Sequence, residues 1–441
     1  MAVKNSSMIL SASVMHGLGM HLGAWAARDG EVTDYLRPEM YLQIARTAEA
    51  GKLHAIFLAD GMTNAEAGTE RPCGSMDPVT ILALMAAVTN RIGLVGTAST
   101  TYNQPYDLAR RFATLDHLTR GRAGWNSVAT FLPAVASMFG GGTLPDHESR
   151  YARADEFIDV TLKLWDSWED DALVGDKANK LFAHAGKVHE INHAGEYFSV
   201  RGPLPFARPP QGRPVIFQAG ASPEGRDQAA KYADVVFTAQ HLLEGGVEFR
   251  SDMRRRAQSY GRHPDQIKIL PGILPVLGAT EADAWRRKDM MDEALGLGPE
   301  LLKLARRVGL DVEVLKLDEP FPAHLLGPDE AFSGSIGFRR TLVNLAVKEK
   351  LTVRQLLARY GGGHQQIVGT PEQVADIMAT WLEAGGADGF NLMVDMLPSG
   401  FDDVVGMLVP ELQRRGMFHR EYEHATLREN LGLGEGPFPT R

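Results

Sequence analysis

Short apolar runs alternate with amphipathic stretches along most of the chain. Parallel βα units produce this pattern, because each strand is buried on both faces and each helix on one. Met8–Val14 reads as a first strand. A helix over Pro38–Ala50 leads to a second strand ending at Asp60, and a helix over Pro78–Thr89 leads to a third, Ile92–Thr97. Pro105–Leu118 feeds a fourth, Ala123–Val128, and Glu148–Trp168 is a long helix with its apolar and aromatic positions on one face. Strands five, six and seven are Pro214–Ala219, Asp234–Thr238 and Ile267–Leu277, separated by helices over Ser222–Tyr232 and Gly246–Tyr260. Helix Thr370–Ala384, strand Asp388–Val394 and helix Asp402–Arg415 complete the series.

Eight strands alternating with eight helices is the count of a closed (β/α)8 TIM barrel, whereas an open doubly wound sheet gives no reason to stop at eight. The expected fold class is therefore α/β, one domain spanning 1–441, with insertions after strands four and seven. The first, 170–213, mixes loop and β character. The second, 280–366, is mainly helical and is a candidate lid, since long excursions beside a barrel mouth often gate it. Residues 416–441 form a polar, Gly/Pro-rich tail expected on the surface or against a partner subunit.

Composition changes the picture mainly by exclusion. A formal net charge of −9 argues against non-specific binding to nucleic acid or an anionic membrane, and Arg254–Arg256 reads as a solvated helix face. Cys73 is the only cysteine, so no intrachain disulfide and no thiolate metal cluster can form. The apolar stretch after Lys4 is broken by Ser and His and reads as a strand rather than a signal peptide. No run approaches the ~18 apolar residues needed to cross a bilayer. The expected compartment is the cytoplasm.

In a parallel barrel the chemistry sits where the strands end. The strand-end candidates are His16, Asp60, Thr97 to Thr100, Asn126 to Thr130, Gln218 to Ser222 and Asp395. Asp60 serves equally well as a cap for the next segment. The clearest physical site is Gln218-Ala-Gly220-Ala-Ser222-Pro-Glu-Gly225: small residues end a strand, Ser222 can N-cap, and Pro223 takes the first helical position. Free N–H groups there suit a phosphate. Thr370-Pro371-Glu372 has the same chemistry, and the extra glycines favour the first turn. His147 and Tyr151, one helical turn apart, share a face at the start of the helix after strand four. A helix start with a packed Tyr accounts for that pair without a ligand.

Two motifs are misleading. His189-Glu190-Ile-Asn-His193 spells the HExxH of zinc peptidases, but Gly186 and Gly195 flank it and Glu196–Val200 is strand-like. The motif needs a helix to stack both imidazoles. Gly17-x-Gly19-x-x-x-Gly23 follows the first strand, yet the second strand ends only at Asp60, too far on for a dinucleotide fingerprint. Neither a GxSxG nor a Walker loop is present.

Several stretches resemble the bacterial-luciferase-like flavin monooxygenases, in the branch of nitrilotriacetate monooxygenase component A, dibenzothiophene-sulfone monooxygenase and pristinamycin IIA synthase. They include His21–Trp25, Ala55–Asp60, Ala98–Tyr106, Leu115–Asn126, Arg150–Phe157, Leu164–Trp168, His193–Pro203, Gln211–Gly220 and Ala387–Asn391, in order across nearly the whole chain. The HExxH string falls inside an ordinary stretch of that resemblance, Lys187–His193. Met138 before Phe139-Gly140, Asp77-Pro78, and Ala129-Thr130 depart from the branch's usual residues, which leaves the substrate open.

The resemblance implies FMN contacts at Asp60, Thr97, His147, Tyr151 and Ser222, with Asn126 and Gly220 joining them as strand-end neighbours. It implies a reduced FMN cofactor (FMNH2), no metal, and oxygen transfer from O2 to a small organic substrate through a flavin C4a-hydroperoxide. With no nicotinamide-binding unit, reduced FMN is expected from a separate NAD(P)H:flavin reductase, and the chain itself is expected to form a dimer or tetramer. His147 and His16 are the candidate catalytic residues, as neutral donors to a flavin peroxide. Packing or a bond to a loop carbonyl is the plainer role for His16. Two alternatives stand beside this reading: a zinc hydrolase using His189, Glu190 and His193, and a non-catalytic flavin-binding barrel.

Overall fold

Alternation within the strands decides the architecture, because each strand must satisfy a barrel interior on one side and a helix layer on the other. The computed structural model describes residues 8–14, 17–63, 72, 74–130, 132–140, 144–332, 334, 336–361 and 363–434. Its strands are β1 (Ile9–Val14), β2 (Ala55–Leu58), β3 (Gly93–Ser99), β4 (Ala123–Val128), β5 (Val215–Gln218), β6 (Val235–Thr238), β7 (Lys268–Leu277), β8 (His364–Gly369) and β9 (Gly389–Met393). Strands β1 to β7 and β9 pair in parallel round a closed ring, with β9 returning to β1 through Ile9↔Gly389 to Ser13↔Met393. This is a (β/α)8 barrel.

The helices that follow are α1 (Pro38–Ala50), α2 (Pro78–Ala86), α3 (Pro105–Thr119), α4 (His147–Trp165), α5 (Pro223–Tyr232) and α6 (Leu243–Ser259). After β7 come α7 (Glu281–Leu295), α8 (Gly298–Val308), α9 (Ile336–Lys348), α10 (Val353–Arg359) and α11 (Pro371–Glu383). Proline opens α1, α2, α3, α5 and α11, where its missing N–H costs nothing and its fixed φ suits the first turn.

The strand His364–Gly369 is absent from the sequence reading, which placed its first residues in a helical insertion. β7 is ten residues long: Lys268–Pro271 pair with β6, Gly272 and Ile273 with β9, and Ile273–Leu277 with β8. β8 thus flanks only the upper end of β7, at the barrel mouth. Polar residues are admissible there, so His-Gln-Gln at its start does not read as a buried strand.

The lower interior is filled by Ile9, Ala55, Phe57, Val95, Val215, Phe217, Val235 and Leu270, joined from below by Leu427 and Leu431. This corrects the expectation for the tail, whose described part, up to residue 434, lies under its own barrel. Phe418 and Tyr422 are buried, Tyr422 Oη donates to the Leu53 carbonyl at 2.7 Å, and Met8 N donates to the Met417 carbonyl at 3.0 Å. Arg428 pairs with Asp234 at 3.0 Å. The apolar residues are few but spaced so that each meets the base, and polarity between them hid the pattern.

The two excursions leave from opposite ends. Residues 170–213 follow α4, which runs from mouth to base, so their two small antiparallel pairs lie at the base. Residues 280–366 follow β7 directly and therefore lie at the mouth, with a separate apolar core of their own around Leu304, Leu342 and Leu356.

Leu427 is fully buried, and a Cβ on Gly93 would sit 2.4 Å from its Cδ1. Leu427→Ala is expected to lower unfolding stability by about 2–5 kcal/mol in a urea titration, as buried leucine truncations do. A change under about 0.5 kcal/mol would contradict a structural role for the tail.

Candidate active site

Above the apolar interior the inward-facing positions become polar. Ser11 Oγ donates to Asn391 Oδ1 at 2.9 Å, and Asn391 Nδ2 donates to Ser13 Oγ at 2.9 Å. Across the barrel, Asn126 Nδ2 donates to Thr97 Oγ1 at 2.9 Å. Both residues are buried, and among the described residues Asn126 Oδ1 has no partner. A buried orphan acceptor is costly unless a ligand or water supplies a donor.

On one rim, β5 ends in the turn 219–222 and α5 begins. Ser222 Oγ accepts from Gly225 N at 3.1 Å and Gln218 Oε1 accepts from Gly220 N at 2.9 Å, which fixes the turn. A Cβ on Gly225 would lie 2.9 Å from Tyr151 Oη, 3.0 Å from Gly220 Cα and 3.2 Å from Ser222 Oγ. Tyr151, Gly220 and Ser222 therefore close round Gly225 so tightly that a larger residue would force them apart. His147 packs beside Tyr151, ring centroids 4.8 Å apart, with Nδ1 3.7 Å from Glu224. A helix N-terminus, two hydroxyls and an imidazole make an anion cradle suited to a phosphate.

On another rim stands Asp60, just past β2. Burial, and then the nearby Asp77 carboxylate, push its carboxyl up to about 6 against a hydrogen bond from Ser75. Asp77 itself caps α2 through Thr80 N at 2.7 Å.

Of the residues singled out in the sequence, His147, Tyr151, Gly220 and Ser222 form one cluster and Thr97 and Asn126 one pair, while Asp60 keeps a separate group. His16 lies outside the described residues. Asp395, another strand-end candidate, is taken up by Arg287 at 2.6 Å and by Met396 N, and so anchors α7 to the barrel. The glycine-rich stretch after β1 serves backbone packing: a Cβ on Gly19 would meet the Asp395 carbonyl at 2.3 Å, and one on Gly23 the Met291 carbonyl at 1.9 Å. His21 fastens the same loop to α7 through Asp292 at 3.0 Å.

His189 and His193 have separate carboxylate partners, Glu169 at 2.8 Å and Glu156 at 2.9 Å, and Glu190 faces Arg201. The string is not helical and lies at the base, away from the mouth.

Sequence reasoning missed Asn391 and the His241–Tyr360–His364 group at the mouth. Asn391 had a signal, as a polar residue of inward parity in an apolar strand. His364 had none, because its strand was not recognised.

With this geometry in place, the chain belongs to the luciferase-like monooxygenase family, whose profile matches residues 20–389. It is 44% identical to nitrilotriacetate monooxygenase component A of Aminobacter aminovorans over 433 residues, 94% of each chain. It is 39% identical to dibenzothiophene-sulfone monooxygenase of Rhodococcus erythropolis over 425 residues, 93% of each chain. The solved EDTA monooxygenase from Chelativorans sp. BNC1 superimposes with a TM-score of 0.82 at 34% identity, covering 97% of this chain and 98% of that one.

Between its ordinary value and about 6, the folded Asp60 holds a proton that the unfolded chain has released, so its contribution to stability falls as pH rises through that window. Asp60→Asn is accordingly expected to melt above wild type at pH 7.5, with the gap closing as pH falls to about 4. Equal melting temperatures throughout would show that the carboxyl is not strained.

Proposed function

We propose that this chain is the oxygenating component of a two-component flavin monooxygenase. It would take FMN, reduced by a separate NAD(P)H:flavin reductase, together with O2 and a small organic substrate. The observation that carries this reading is the convergence of Ser222 Oγ, Tyr151 Oη, Gly220 and Gly225 at the N-terminus of α5, beside a polar floor with an orphaned acceptor at Asn126. The name of the nitrilotriacetate relative, a monooxygenase component rather than a whole monooxygenase, supports a division of labour between two proteins.

The residues present fit FMN. The N-terminus of α5 suits a phosphate, with the Ser222 and Tyr151 hydroxyls brought together across Gly225 as donors and the α5 dipole favouring negative charge. Asn126 Oδ1 matches an N–H donor of a reduced isoalloxazine, and Thr97 holds the Asn126 amide in that orientation. Asp60 is assigned to a polar edge of the cofactor, where its raised pKa allows it to keep a proton on the carboxyl near pH 6. When bound, reduced FMN would supply the two electrons that activate O2, one atom of which goes to the substrate and the other to water. The chain's task is to orient substrate and exclude water.

The excursion 280–366 is proposed as the cover. A Cβ on Gly337 of α9 would lie 2.8 Å from Ala221 Cβ, so the cover touches the phosphate turn directly. His147 is assigned to the phosphate end through its packing with Tyr151 and Glu224.

Ser222→Ala with Tyr151→Phe is expected to weaken reduced-FMN binding at least about 10-fold, from lost charge-assisted hydrogen bonds of ~1.5–3 kcal/mol each. In the same anaerobic titration, His147→Phe is expected to lose affinity while keeping its coupling of O2 use to product. Unchanged affinity in the double variant would remove the phosphate from this turn. Peroxide release replacing product in His147→Phe would instead return that residue to the reacting end.

The function itself is tested by mixing protein, FMN and NADH with and without an added flavin reductase. Flavin is expected to stay oxidised until the reductase is present, and a compound panel analysed by mass spectrometry is then expected to yield a product heavier by one oxygen. Bleaching without reductase would overturn the two-component reading. Flavin binding with peroxide as the sole product would favour the non-catalytic barrel.

A further inference from the structure

A second group of polar side chains sits at the mouth, on the opposite side of the cover from the phosphate turn. His364, at the start of β8, stands over Gly272 of β7, where a Cβ would meet its Nδ1 at 2.4 Å. It stacks on Phe237 of β6 at 5.0 Å and meets Phe338 of α9 edge-on at 5.8 Å. Phe338 directly follows Gly337, the residue against the phosphate turn, so α9 spans the distance between the two groups. Tyr360 lies before β8, and His241, after β6, faces it at 6.3 Å.

His241, Tyr360 and His364 are 2–3% exposed. Among the described residues, neither His364 Nδ1 nor Tyr360 Oη has a hydrogen-bond partner. Polar groups are rarely left so in one place, because each costs the loss of its bonds to water. Beside them lies Arg307 of α8, half-buried, its guanidinium 5.0 Å from the Phe338 ring and 5.7 Å from the Tyr360 ring. Among the described residues no carboxylate comes within ion-pair distance of Arg307. Glu300 bears on Tyr360 from α8, and Arg359 is neutralised by Glu349 at 2.7 Å.

We propose that Arg307, Tyr360, His364 and His241 form the recognition pocket for a carboxylate carried by the organic substrate, so that this enzyme acts on an organic acid. The inference rests on the flavin-monooxygenase reading above and names the substrate class for that site. Arg307 supplies the charge and the forked donors that a carboxylate matches, held flat by the two rings. Tyr360 Oη and one N–H of each neutral imidazole supply further donors. Burial holds His241 down at about 4, opposed by a hydrogen bond with the Gly363 backbone and reinforced by Arg359 and Arg307. Burial, then His241, Arg307 and Lys303, holds His364 well below its ordinary range. The imidazoles are therefore neutral, Arg307 and Lys303 are the positive charges that bear on them, and the Glu300 carboxylate acts on Tyr360 from the other side. Arg307 with these neutral donors suits an anion that must be desolvated, and leaves one end of the substrate fixed while the rest faces the flavin side of the mouth.

The test uses the full chain with reduced FMN under anaerobic conditions. Succinate, iminodiacetate and citrate are titrated by calorimetry alongside succinamide and the other uncharged amides. At least one carboxylate is expected to bind wild type and its amide is not. Arg307→Met, which keeps an apolar stem against the rings, is expected to lower that affinity about 10-fold or more, as loss of a charge-assisted bond does. Arg307→Lys is expected to recover part of it. No carboxylate binding to wild type, equal binding of the amides, or an unchanged affinity in Arg307→Met would each overturn the proposal. FMN affinity is measured on the same samples. Its failure in wild type would instead strike the flavin reading, and its loss in Arg307→Met with carboxylate binding intact would place the cofactor phosphate at Arg307 and overturn the carboxylate assignment.

Discussion

A closed ring of parallel strands leaves no edge, but it encloses a space that must be filled from within. Everything else in this molecule follows from how that space is divided. Below, Phe57, Phe217, Val95 and Leu270 meet at the axis, and the chain's own tail seals the base. Above, the same inward parity delivers Ser13, Thr97, Asn126 and Asn391, which bond to one another in pairs and, among the described residues, leave the Asn126 Oδ1 acceptor free. The division between an apolar plug and a polar floor turns a packed core into a surface on which a planar ligand can rest.

Much of this was legible in the sequence for a simple reason. Strands buried on both faces read as unbroken apolar runs, and prolines mark where the helices begin. All eight barrel strands fall where those runs lie. The turn at Ser222 was legible too, because a capping serine, a first-turn proline and clustered glycines each have one local cause. The rest depended on tertiary context. β8 opens with polar residues and pairs with only half of β7, so no local pattern announces it. The tail carries a few apolar residues among charges, and only the barrel base explains their spacing. The HExxH string is the reverse case, since a motif with a local spelling lacks the helix that would give it meaning.

The point at which each excursion leaves the barrel matters more than its length. A segment inserted after a helix returns to the base, and one inserted after a strand emerges at the mouth. The hairpins of 170–213 therefore decorate α4, while 280–366 touches both the turn 219–222 through Gly337 and the barrel mouth through Phe338 and His364. Arg287–Asp395 and His21–Asp292 bind α7, the first helix of that excursion, to the ends of β9 and β1. Excursion and barrel share their anchors.

The seal at the base also sets an order of events during synthesis. Leu427 and Leu431 close a cavity whose walls are strands made hundreds of residues earlier, and Met8 at the head of β1 bonds to Met417. Until that late segment emerges from the ribosome, the lower ring stands open to water with Phe57, Phe217 and Leu270 exposed from beneath. A barrel lacking Leu427 and Leu431 would present that apolar floor to solvent, the kind of exposed surface that promotes aggregation.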